Sequence, residues 1–407
     1  MSSQKIAIVG AGAAGCFAAA NIRYSVNKEV TIFEKTGKAL QKVKASGGGR
    51  CNTTHACFDI QELLTKYPRG KQLLKKTLYQ FTPQNTIDWF AKRGVKLKTE
   101  ADGRMFPDTD DSQTIIDCIW QEMMCNKVNV RYHKSLDKLE RSDNKWILHF
   151  ADGTLYEADK VLITCGGFPK IDQYHWITDI GHTVQSPVPS LFTFNIPKHP
   201  ITQLMGVSVQ DVVIKISGAK ISEQGPLLIT HWGFSGPVVL RTSAWAAKEL
   251  NEHNYDFNVV INWLGQTSEA DIKEQIVGLR KLQGKQKLNA KNPFSLPRRF
   301  WEYQLTRLGI SVDTRWGELS AVAQNKLIEM LIRDTYHITG KTTFKEEFVT
   351  CGGVTLSEID PLTMQSRVAK GVYFAGEILN VDGITGGFNF QHAWSSAYIA
   401  AQQLQDS

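Results

Sequence analysis

The sequence predicts an α/β fold in which a domain built on a parallel sheet is interrupted by an inserted domain of strands and helices. Three observations support this prediction. The first 34 residues follow the order strand, glycine-rich turn, helix, strand. Residues 190–263 alternate apolar and polar side chains, which is typical of antiparallel strands. Residues 268–335 carry apolar side chains at helical spacing.

The composition is that of a globular protein without a disulfide framework. The 407 residues are 42% hydrophobic, the formal net charge is +7, and the seven cysteines are scattered singly. Scattered thiols favour a reducing compartment, so we expect a cytoplasmic location and no structural metal. The charge permits anionic ligands but does not require nucleic acid, and no apolar run suggests a membrane span.

A dinucleotide-binding pattern occupies the N-terminal segment. The apolar strand 5–9 precedes the motif GAGAAG at 10–15, and a helix of small residues is predicted from Ala14 to about Tyr24. A second strand, 29–33, then leads into Glu34. Strand, glycines, helix, strand and acid occur in the order that this kind of site requires.

The glycines and the acid of that pattern each have a physical role. Gly10 permits the tight turn, Gly12 lets the backbone approach a pyrophosphate, and Gly15 lets the helix pack on the sheet. The helix N-terminus offers amide donors to the phosphates. Glu34 accepts hydrogen bonds from both ribose hydroxyls of an adenosine and would repel a 2′-phosphate.

Later segments favour FAD over NAD as the dinucleotide. In GVYFAGE, 371–377, a short strand ends at Glu377, whose carboxylate is suited to a ribityl hydroxyl. The turn TGG at 385–387 opens a helix whose N-terminus would stabilise negative charge on the reduced flavin ring. The strand near Leu136 is expected to line the adenine, and Thr164-Cys165-Gly166-Gly167 forms a turn after another strand.

Four motifs together carry a resemblance to a known family. GAGAAG, SGGGRCN (46–52), THWGFSGP (230–237) and AGEILNVDGITGGFNFQHAWSS (375–396) resemble the BaiN-like family of FAD-dependent oxidoreductases, which includes aminoacetone-oxidase-type members. The resemblance implies non-covalently bound FAD, a two-dinucleotide-binding, glutathione-reductase-like fold and an inserted domain. It implies little about the substrate.

The predicted domains follow from the change in pattern along the chain. Residues 1–190 and 348–407 form a split FAD-binding domain, 191–265 and 336–347 form a β-rich insert, and 266–335 form its helical part. The insert is expected to cover the flavin and supply the substrate pocket through the block 231–237. The alternative for that block is a packed β-turn with a buried tryptophan.

Two functional interpretations compete for the glycine-rich segment at 45–55. In the first it clamps FAD, with Arg50 adding charge and Asn52 bonding the flavin edge; in the second Cys51 is a redox thiol. Flavin disulfide reductases place four residues between their two cysteines, whereas five separate Cys51 from Cys57. The chain also contains no second G-x-G-x-x-G motif for NAD(P)H. The clamp is therefore favoured.

The predicted function is FAD-dependent oxidation or reduction of an unidentified small molecule by hydride transfer at the flavin. The sequence does not decide between an NAD(P)H-dependent reductase and an amine-type oxidase. One alternative function is a thiol/disulfide oxidoreductase that uses Cys51. Another is an RNA-acting flavoprotein, which is suggested by the net charge and the basic run 281–291. No nucleic acid or membrane partner is expected, and the oligomeric state is open.

Weak candidates for acid/base chemistry are Cys51, His231, Asp382 and His392. The predicted FAD contacts are Gly10, Gly12, Ala13, Ala14, Gly15, Glu34, Lys35, Gly49, Arg50, Cys51, Asn52, Leu136, Thr164, Gly166, Gly376, Glu377, Asp382, Gly386, Gly387, Phe388, Asn389 and Phe390.

Overall fold

The fold was obtained as a computed structural model, which describes residues 3–290, 292–342 and 349–406. The chain forms two units, Met1–Ser190 together with Phe344–Ser407, and Leu191–Thr343. The sequence places its first domain crossing at the same residue, between 190 and 191. Its second crossing, between 347 and 348, lies outside the described residues. Strands β1–β20 and helices α1–α12 are numbered below in chain order.

The first unit is built on a parallel sheet. Its strands are β1 (Gln4–Val9), β2 (Lys28–Phe33), β6 (Asn129–Arg131), β10 (Lys160–Ile163) and β20 (Val372–Phe374). They lie in the order β20-β10-β1-β2-β6, and every neighbouring pair is parallel. The central strands are continuous apolar runs because a parallel sheet is covered on both faces. This arrangement confirms the predicted α/β class.

Smaller sheets and the helices complete the first unit. Its other strands are β3 (Thr54–His55), β4 (Leu97–Thr99), β5 (Arg104–Pro107), β7 (Leu136–Ser142), β8 (Lys145–Phe150), β9 (Leu155–Ala158), β11 (Val184–Pro189) and β19 (Thr350–Val354). Its helices are α1 (Ala13–Asn21), α2 (Gln41–Gly49), α3 (Ile60–Leu64), α4 (Lys71–Gln80), α5 (Pro83–Ala91), α6 (Ser112–Cys125), α7 (His175–Thr178) and α12 (Phe388–Asp406). Strands β7, β8 and β9 form an antiparallel meander.

The second unit pairs an antiparallel sheet with four helices. Its strands are β12 (Thr193–Asn195), β13 (Ser208–Ile216), β14 (Ser222–Ile229), β15 (Gly233–Ser235), β16 (Asp256–Asn262), β17 (Asp334–Thr339) and β18 (Lys341–Thr342). Its helices are α8 (Pro237–Glu252), α9 (Glu269–Gln283), α10 (Arg298–Arg307) and α11 (Ala321–Arg333). Apolar side chains from the sheet and from the helices share one core. The β-rich and helical parts of the insert are therefore one body.

Two helices differ from their predicted bounds. Helix α1 ends at Asn21, short of the predicted Tyr24, because Ile22 adopts an extended backbone and closes the helix. The apolar spacing of the sequence predicts a helix from Glu318 to Asp334, whereas helix α11 begins at Ala321. The hydroxyl of Ser320 caps it by accepting a hydrogen bond from the backbone amide of Ala323, at 3.1 Å.

Across the described ranges, no helix combines the length and apolarity that a membrane crossing requires. Within those same ranges, no group of three or more His, Cys, Asp or Glu side chains is arranged to hold a metal ion.

Candidate functional site

The predicted cofactor residues of the first unit meet where the parallel strands end. Gly10 follows β1, Glu34 follows β2, Thr164 follows β10 and Gly376 follows β20. The hydroxyl of Thr164 lies 3.0 Å from the carbonyl oxygen of Gly10, so the turns after β10 and β1 are bonded together. In open α/β sheets, ligands bind in the crevice at this edge.

The three glycines of the first motif have different surroundings. A Cβ on Gly10, whose φ is +106°, would lie 2.6 Å from the Cα of Cys165, and one on Gly15 would lie 2.0 Å from the carbonyl oxygen of Gly10. A Cβ on Gly12 would meet no atom within 4 Å. Packing therefore requires Gly10 and Gly15, whereas Gly12 leaves open space at the start of α1. That open backbone fits the approach of a pyrophosphate.

Glu34 lies beside this turn. One carboxylate oxygen accepts a hydrogen bond from the amide of Ala11 at 2.9 Å, and the other accepts from the amide of Thr36 at 2.8 Å. The carboxylate is thereby fixed next to the glycine motif, where an adenosine ribose would be expected. The ammonium of Lys35 lies 5.5 Å from the ring centre of Phe168.

Two further predicted contacts lie on neighbouring loops and strands. Leu136 begins β7 at the edge of the meander and is half-buried. Gly166 adopts a φ of +75°, and a Cβ there would have only a carboxylate oxygen of Glu377, at 3.9 Å, within contact distance. The backbone after β10 is thus open, as it is at Gly12.

The glycine-rich segment interrupts α2. The backbone leaves the helix at Ser46, whose ψ is 150°, and Gly47 and Gly48 then take positive φ values of 60° and 69°. A Cβ on Gly48 or Gly49 would meet no atom within 4 Å. The bare backbone therefore borders open space, which is what the clamp interpretation requires.

Arg50, which was predicted to add charge to the FAD clamp, is engaged by acidic and aromatic side chains. Its guanidinium bonds Glu100 at 2.6 Å, lies 3.5 Å from Asp110 and sits 4.0 Å from the ring centre of Phe106. Two carboxylates and an aromatic face hold the cation together. In this structure Arg50 fastens the glycine segment to β5 and its flanking turns and does not supply free charge.

Cys51 has the surroundings of a structural thiol. It is fully buried, adopts a φ of +62°, and its sulfur lies 3.7 Å from the hydroxyl of Thr53. Burial raises the pKa of the Cys51 thiol to about 11, so the nucleophilic thiolate is scarce at neutral pH. Cys57 is also buried and unbridged. These surroundings favour the clamp over the redox interpretation.

Asn52 joins the glycine segment to the last helix. With the side-chain amide oriented to satisfy both ends, its nitrogen donates to the carbonyl of Thr54 at 3.1 Å and its oxygen accepts from the amide of Gly387 at 3.0 Å. The indole of Trp394 adds a bond to the carbonyl of Thr53 at 2.9 Å. Asn52 therefore sets the distance between the segment and the N-terminus of α12.

The N-terminal turn of α12 is shaped by close contacts. The ring of Phe388 stacks on His55 with 4.7 Å between centres, and that of Phe390 stacks on Trp394 at 5.5 Å. The amide side chain of Asn389 accepts from the amide of Gly383 at 2.8 Å and donates to its carbonyl at 2.9 Å. Asn389, a predicted FAD contact, thus secures the loop before the helix.

The two acidic candidates are engaged by neighbouring groups. Asp382 is fully buried and pairs with the guanidinium of Arg69, and the hydroxyl of Ser190 also donates to it. Glu377 bonds the ammonium of Lys42 at 2.6 Å and accepts from the amide of Thr350 at 2.9 Å. Asp382 therefore has the environment of a structural anion, and Glu377 stays near Gly166 and the open backbone.

The two histidine candidates differ in burial. His392 is buried, its Nε2 lies 3.2 Å from the carbonyl oxygen of Gly376, and burial lowers the pKa of its imidazole to about 4. His231 is exposed in the second unit and packs edge-on against Trp232 at 4.2 Å. Trp232 is half-buried and donates to the hydroxyl of Thr193 at 3.0 Å. This part of the block 231–237 is a packed turn beside β15.

Sequence reasoning missed residues that hold the site from a distance. Tyr67 and Arg69 reach the segment 382–388, and Lys42 and Thr350 reach Glu377. None of them lies in a recognisable motif, and their partners are far away in the chain. Only the Tyr-Pro-Arg-Gly order at 67–70 hinted at a fixed connection between two helices.

The parallel sheet, the open glycine turn, the acid after β2 and the glycine-opened terminal helix together define an FAD-dependent oxidoreductase with a Rossmann-type sheet. The family model described as "HI0933-like protein Rossmann domain" matches residues 4–403, and the chain belongs to this family. This assignment agrees with the resemblance seen in the motifs.

Similar proteins cover the whole chain. The 3-dehydro-bile acid delta(4,6)-reductase of Clostridium scindens is 28% identical over 98% of this chain and 98% of its own length. The ribosomal RNA dihydrouridine synthase of Escherichia coli is 30% identical over 98% and 97%. Among solved structures, a 3-ketosteroid-delta4-(5alpha)-dehydrogenase from Rhodococcus jostii aligns over 98% of both chains at 11% identity with a TM-score of 0.49.

Proposed function

We propose that this FAD-dependent enzyme is a reductase that saturates a carbon–carbon double bond conjugated to a ring carbonyl. The observation that carries the proposal is the end-to-end match to two differently named relatives. A 3-dehydro-bile acid delta(4,6)-reductase removes ring double bonds conjugated to an oxo group. A dihydrouridine synthase forms a uracil ring whose 5,6 double bond has gained two hydrogens. Both names describe the saturation of a ring double bond that is conjugated to a carbonyl group.

Different residues of the chain would bind different parts of FAD. The open backbone at Gly12 and the first amides of α1 would hold the pyrophosphate, and Glu34 would hold the ribose of the adenosine. Gly48 and Gly49 would let the backbone pass close to the cofactor. When bound and reduced, FAD supplies a hydride.

The reaction balances with a nicotinamide as electron donor. The double bond gains a hydride and a proton and becomes a single bond, while NADH or NADPH loses the hydride to regenerate the reduced cofactor. The sequence has only one G-x-G-x-x-G motif in front of a helix. The nicotinamide is therefore proposed to dock transiently and to leave before the substrate is reduced.

An anaerobic titration tests this function. The purified yellow protein is mixed with NADH and with NADPH, and then with cyclic enones and with uridine. We expect one nicotinamide to bleach the flavin absorbance and a conjugated ring carbonyl to restore it, with one saturated product per flavin. Failure of both nicotinamides to bleach the flavin, together with peroxide production from amines in a separate assay with dioxygen present, would instead support an amine-type oxidase.

A second candidate, reduction of a uracil ring within RNA, is favoured by the distribution of charge. Residues 273–315 of the insert contain ten Lys or Arg against three Asp or Glu, a net +7. Some of this charge is paired, since Lys287 bonds Asp313 at 2.8 Å and Arg298 bonds Glu302 at 2.8 Å. Lys281 and Lys285 are exposed. The predicted basic run ends at Lys291, which lies outside the described residues.

If the substrate is a uracil ring within RNA, the affinity for RNA should depend on the salt concentration. Reduced protein is incubated with ribosomal RNA and with free uridine, and dihydrouridine is measured by mass spectrometry. For this candidate we expect product in RNA only and binding that weakens steeply with salt. The double variant Lys281→Ala, Lys285→Ala should weaken RNA binding, and Lys138→Ala in the first unit should not. Reduction of small enones without any change in RNA would assign a small-molecule substrate.

A further inference from the structure

Two segments far apart in the chain are fastened to each other in the first unit. We call residues 66–70, between α3 and α4, the connector, and residues 381–387, before α12, the loop. The amide of Ile384 donates to the carbonyl of Lys66 at 2.9 Å. Gly70 approaches the loop so closely that a Cβ there would lie 2.6 Å from the side chain of Val381.

Two connector side chains extend this attachment. The phenol of Tyr67 is fully buried and donates to the carbonyl of Phe388, the first residue of α12, at 2.8 Å. The guanidinium of Arg69 pairs with the fully buried carboxylate of Asp382, and only 15% of the Arg69 side chain is exposed. A buried carboxylate requires such a partner, so this pair resists separation.

The other end of the loop is held as well. Asn389 bonds both backbone groups of Gly383, and Asn52 accepts from the amide of Gly387. The first amides of a helix have no partner within the helix and carry its positive partial charge. Because bonds hold the loop both near its start and at its end, we infer that the direction of those amides at α12 is restricted.

We propose that Tyr67 and Arg69 are positioning residues that orient the N-terminal turn of α12 toward the flavin ring of FAD. The influence of a helix terminus falls off within one turn, so a small rotation changes the stabilisation of negative charge on the ring. The hydrogen bonds of the connector side chains reach the carbonyl of Phe388 and the carboxylate of Asp382, not the first amides of the helix. The connector therefore controls the reactivity of the cofactor without binding it.

The substitution Tyr67→Phe removes a single hydroxyl from the connector. The matched control is Tyr79→Phe on α4, because Tyr79 is 61% exposed and its hydroxyl bonds the side chain of Gln61 at 3.5 Å. Three quantities are measured: hydrogen exchange of the 382–388 amides in the apoprotein, the dissociation constant of FAD, and the reduction potential of the bound flavin.

For Tyr67→Phe we expect faster exchange at 382–388 and a more negative reduction potential. Because the lost bond lies within the protein, FAD binding should weaken by no more than the roughly threefold to tenfold of one direct neutral hydrogen bond. Tyr79→Phe should match the unaltered protein. An unchanged potential in Tyr67→Phe, whether or not exchange rises throughout the protein, would overturn the proposal. Asp382→Asn should shift the potential in the same direction; an opposite shift would also overturn it.

This test is independent of the substrate. It rests on FAD dependence and uses no enone, uridine or RNA. A protein that reduces none of these substrates would contradict the proposed function while leaving the exchange and potential measurements interpretable. Conversely, an unchanged flavin reduction potential in Tyr67→Phe would contradict the positioning role without contradicting the proposed reductase function.

Discussion

At the scale of single residues, Gly12 and Gly15 belong to one motif but perform different tasks. A Cβ on Gly15 would overlap the carbonyl of Gly10, whereas a Cβ on Gly12 would meet only open space. We predict that Gly12→Ala keeps the apoprotein within about 0.5 kcal/mol of its original stability but strongly weakens FAD binding. Denaturant unfolding of the apoprotein and FAD titration measure the two effects.

Gly15→Ala is the matched control for that prediction. It should lower the stability of the apoprotein itself, because the added carbon has no room between α1 and the turn. If Gly12→Ala instead destabilises the apoprotein while binding FAD normally, the pyrophosphate does not approach at Gly12.

Asn52 is predicted to contribute more to FAD binding than its neighbour Cys51. Asn52→Ala removes the bridge between Thr54 and Gly387 and should weaken FAD binding by up to about tenfold, the upper limit set by the roughly 0.5–1.5 kcal/mol of one neutral hydrogen bond. Cys51→Ser keeps the size of a buried side chain and should retain most FAD binding and activity. Fluorescence titration and turnover measurements compare the two variants.

A reversed order would restore the redox interpretation of Cys51. In that case Cys51→Ser would stay yellow and lose turnover, and only the unaltered protein would show a long-wavelength charge-transfer band after two-electron reduction.

Residues whose role depends on local spacing could be predicted, and residues whose role depends on distant partners could not. Gly10, Gly12 and Glu34 follow from the order of strand, turn and helix within one segment. The engagement of Arg50 by Glu100 and of Asp382 by Arg69 could not be read from the sequence, because a charge pattern does not specify which distant side chain faces it.

At the scale of elements, the buried end of α12 should make stability depend on pH. Burial lowers the pKa of the His392 imidazole to about 4, below its ordinary value of 6.5. Between pH 6.5 and pH 4, the imidazole therefore binds a proton in the unfolded chain but not in the folded chain. The free energy of unfolding consequently has its full value above pH 6.5 and decreases as the pH falls toward 4. At 1.36 kcal/mol per pKa unit, this contribution is on the order of 3 kcal/mol.

The variant His392→Gln tests this dependence, since a glutamine amide can still donate toward the carbonyl of Gly376. We expect the unfolding free energy of the apoprotein to fall less between pH 6.5 and pH 4 than in the unaltered protein. The exposed His231→Gln variant should leave the dependence unchanged. Equal pH profiles for His392→Gln and the unaltered protein would contradict the assignment.

Element bounds were less predictable than element types. The apolar spacing of α11 indicated a helix, but the start depends on the hydroxyl of Ser320, which competes with neighbouring polar residues as a cap. The glycine segment begins within helix α2, and the backbone leaves the helix at Ser46, Gly47 and Gly48. Such starts and interruptions depend on single hydrogen bonds, which periodicity does not resolve.

At the scale of the whole molecule, alternation and helical spacing are the patterns from which the sequence predicts an insert in the sheet-based domain. They could not show that its strands and helices share one core, because that depends on which apolar faces meet. The single core explains why one segment can carry excess charge: α9 and α10 need only one buried face, and their outer faces are free to be basic.

Separate cores also predict how the molecule unfolds. The predicted FAD contacts lie in the first unit, so a ligand that binds only the folded state should stabilise that unit, by about 2.7 kcal/mol at 100 times its dissociation constant. For a unit of this size the midpoint should rise by roughly 5–10 °C. Calorimetry of the apoprotein and of the FAD-loaded protein should therefore show one transition that moves and one that does not. Gly12→Ala at the same FAD concentration should lose most of the shift, and equal movement of both transitions would show that the two units unfold together.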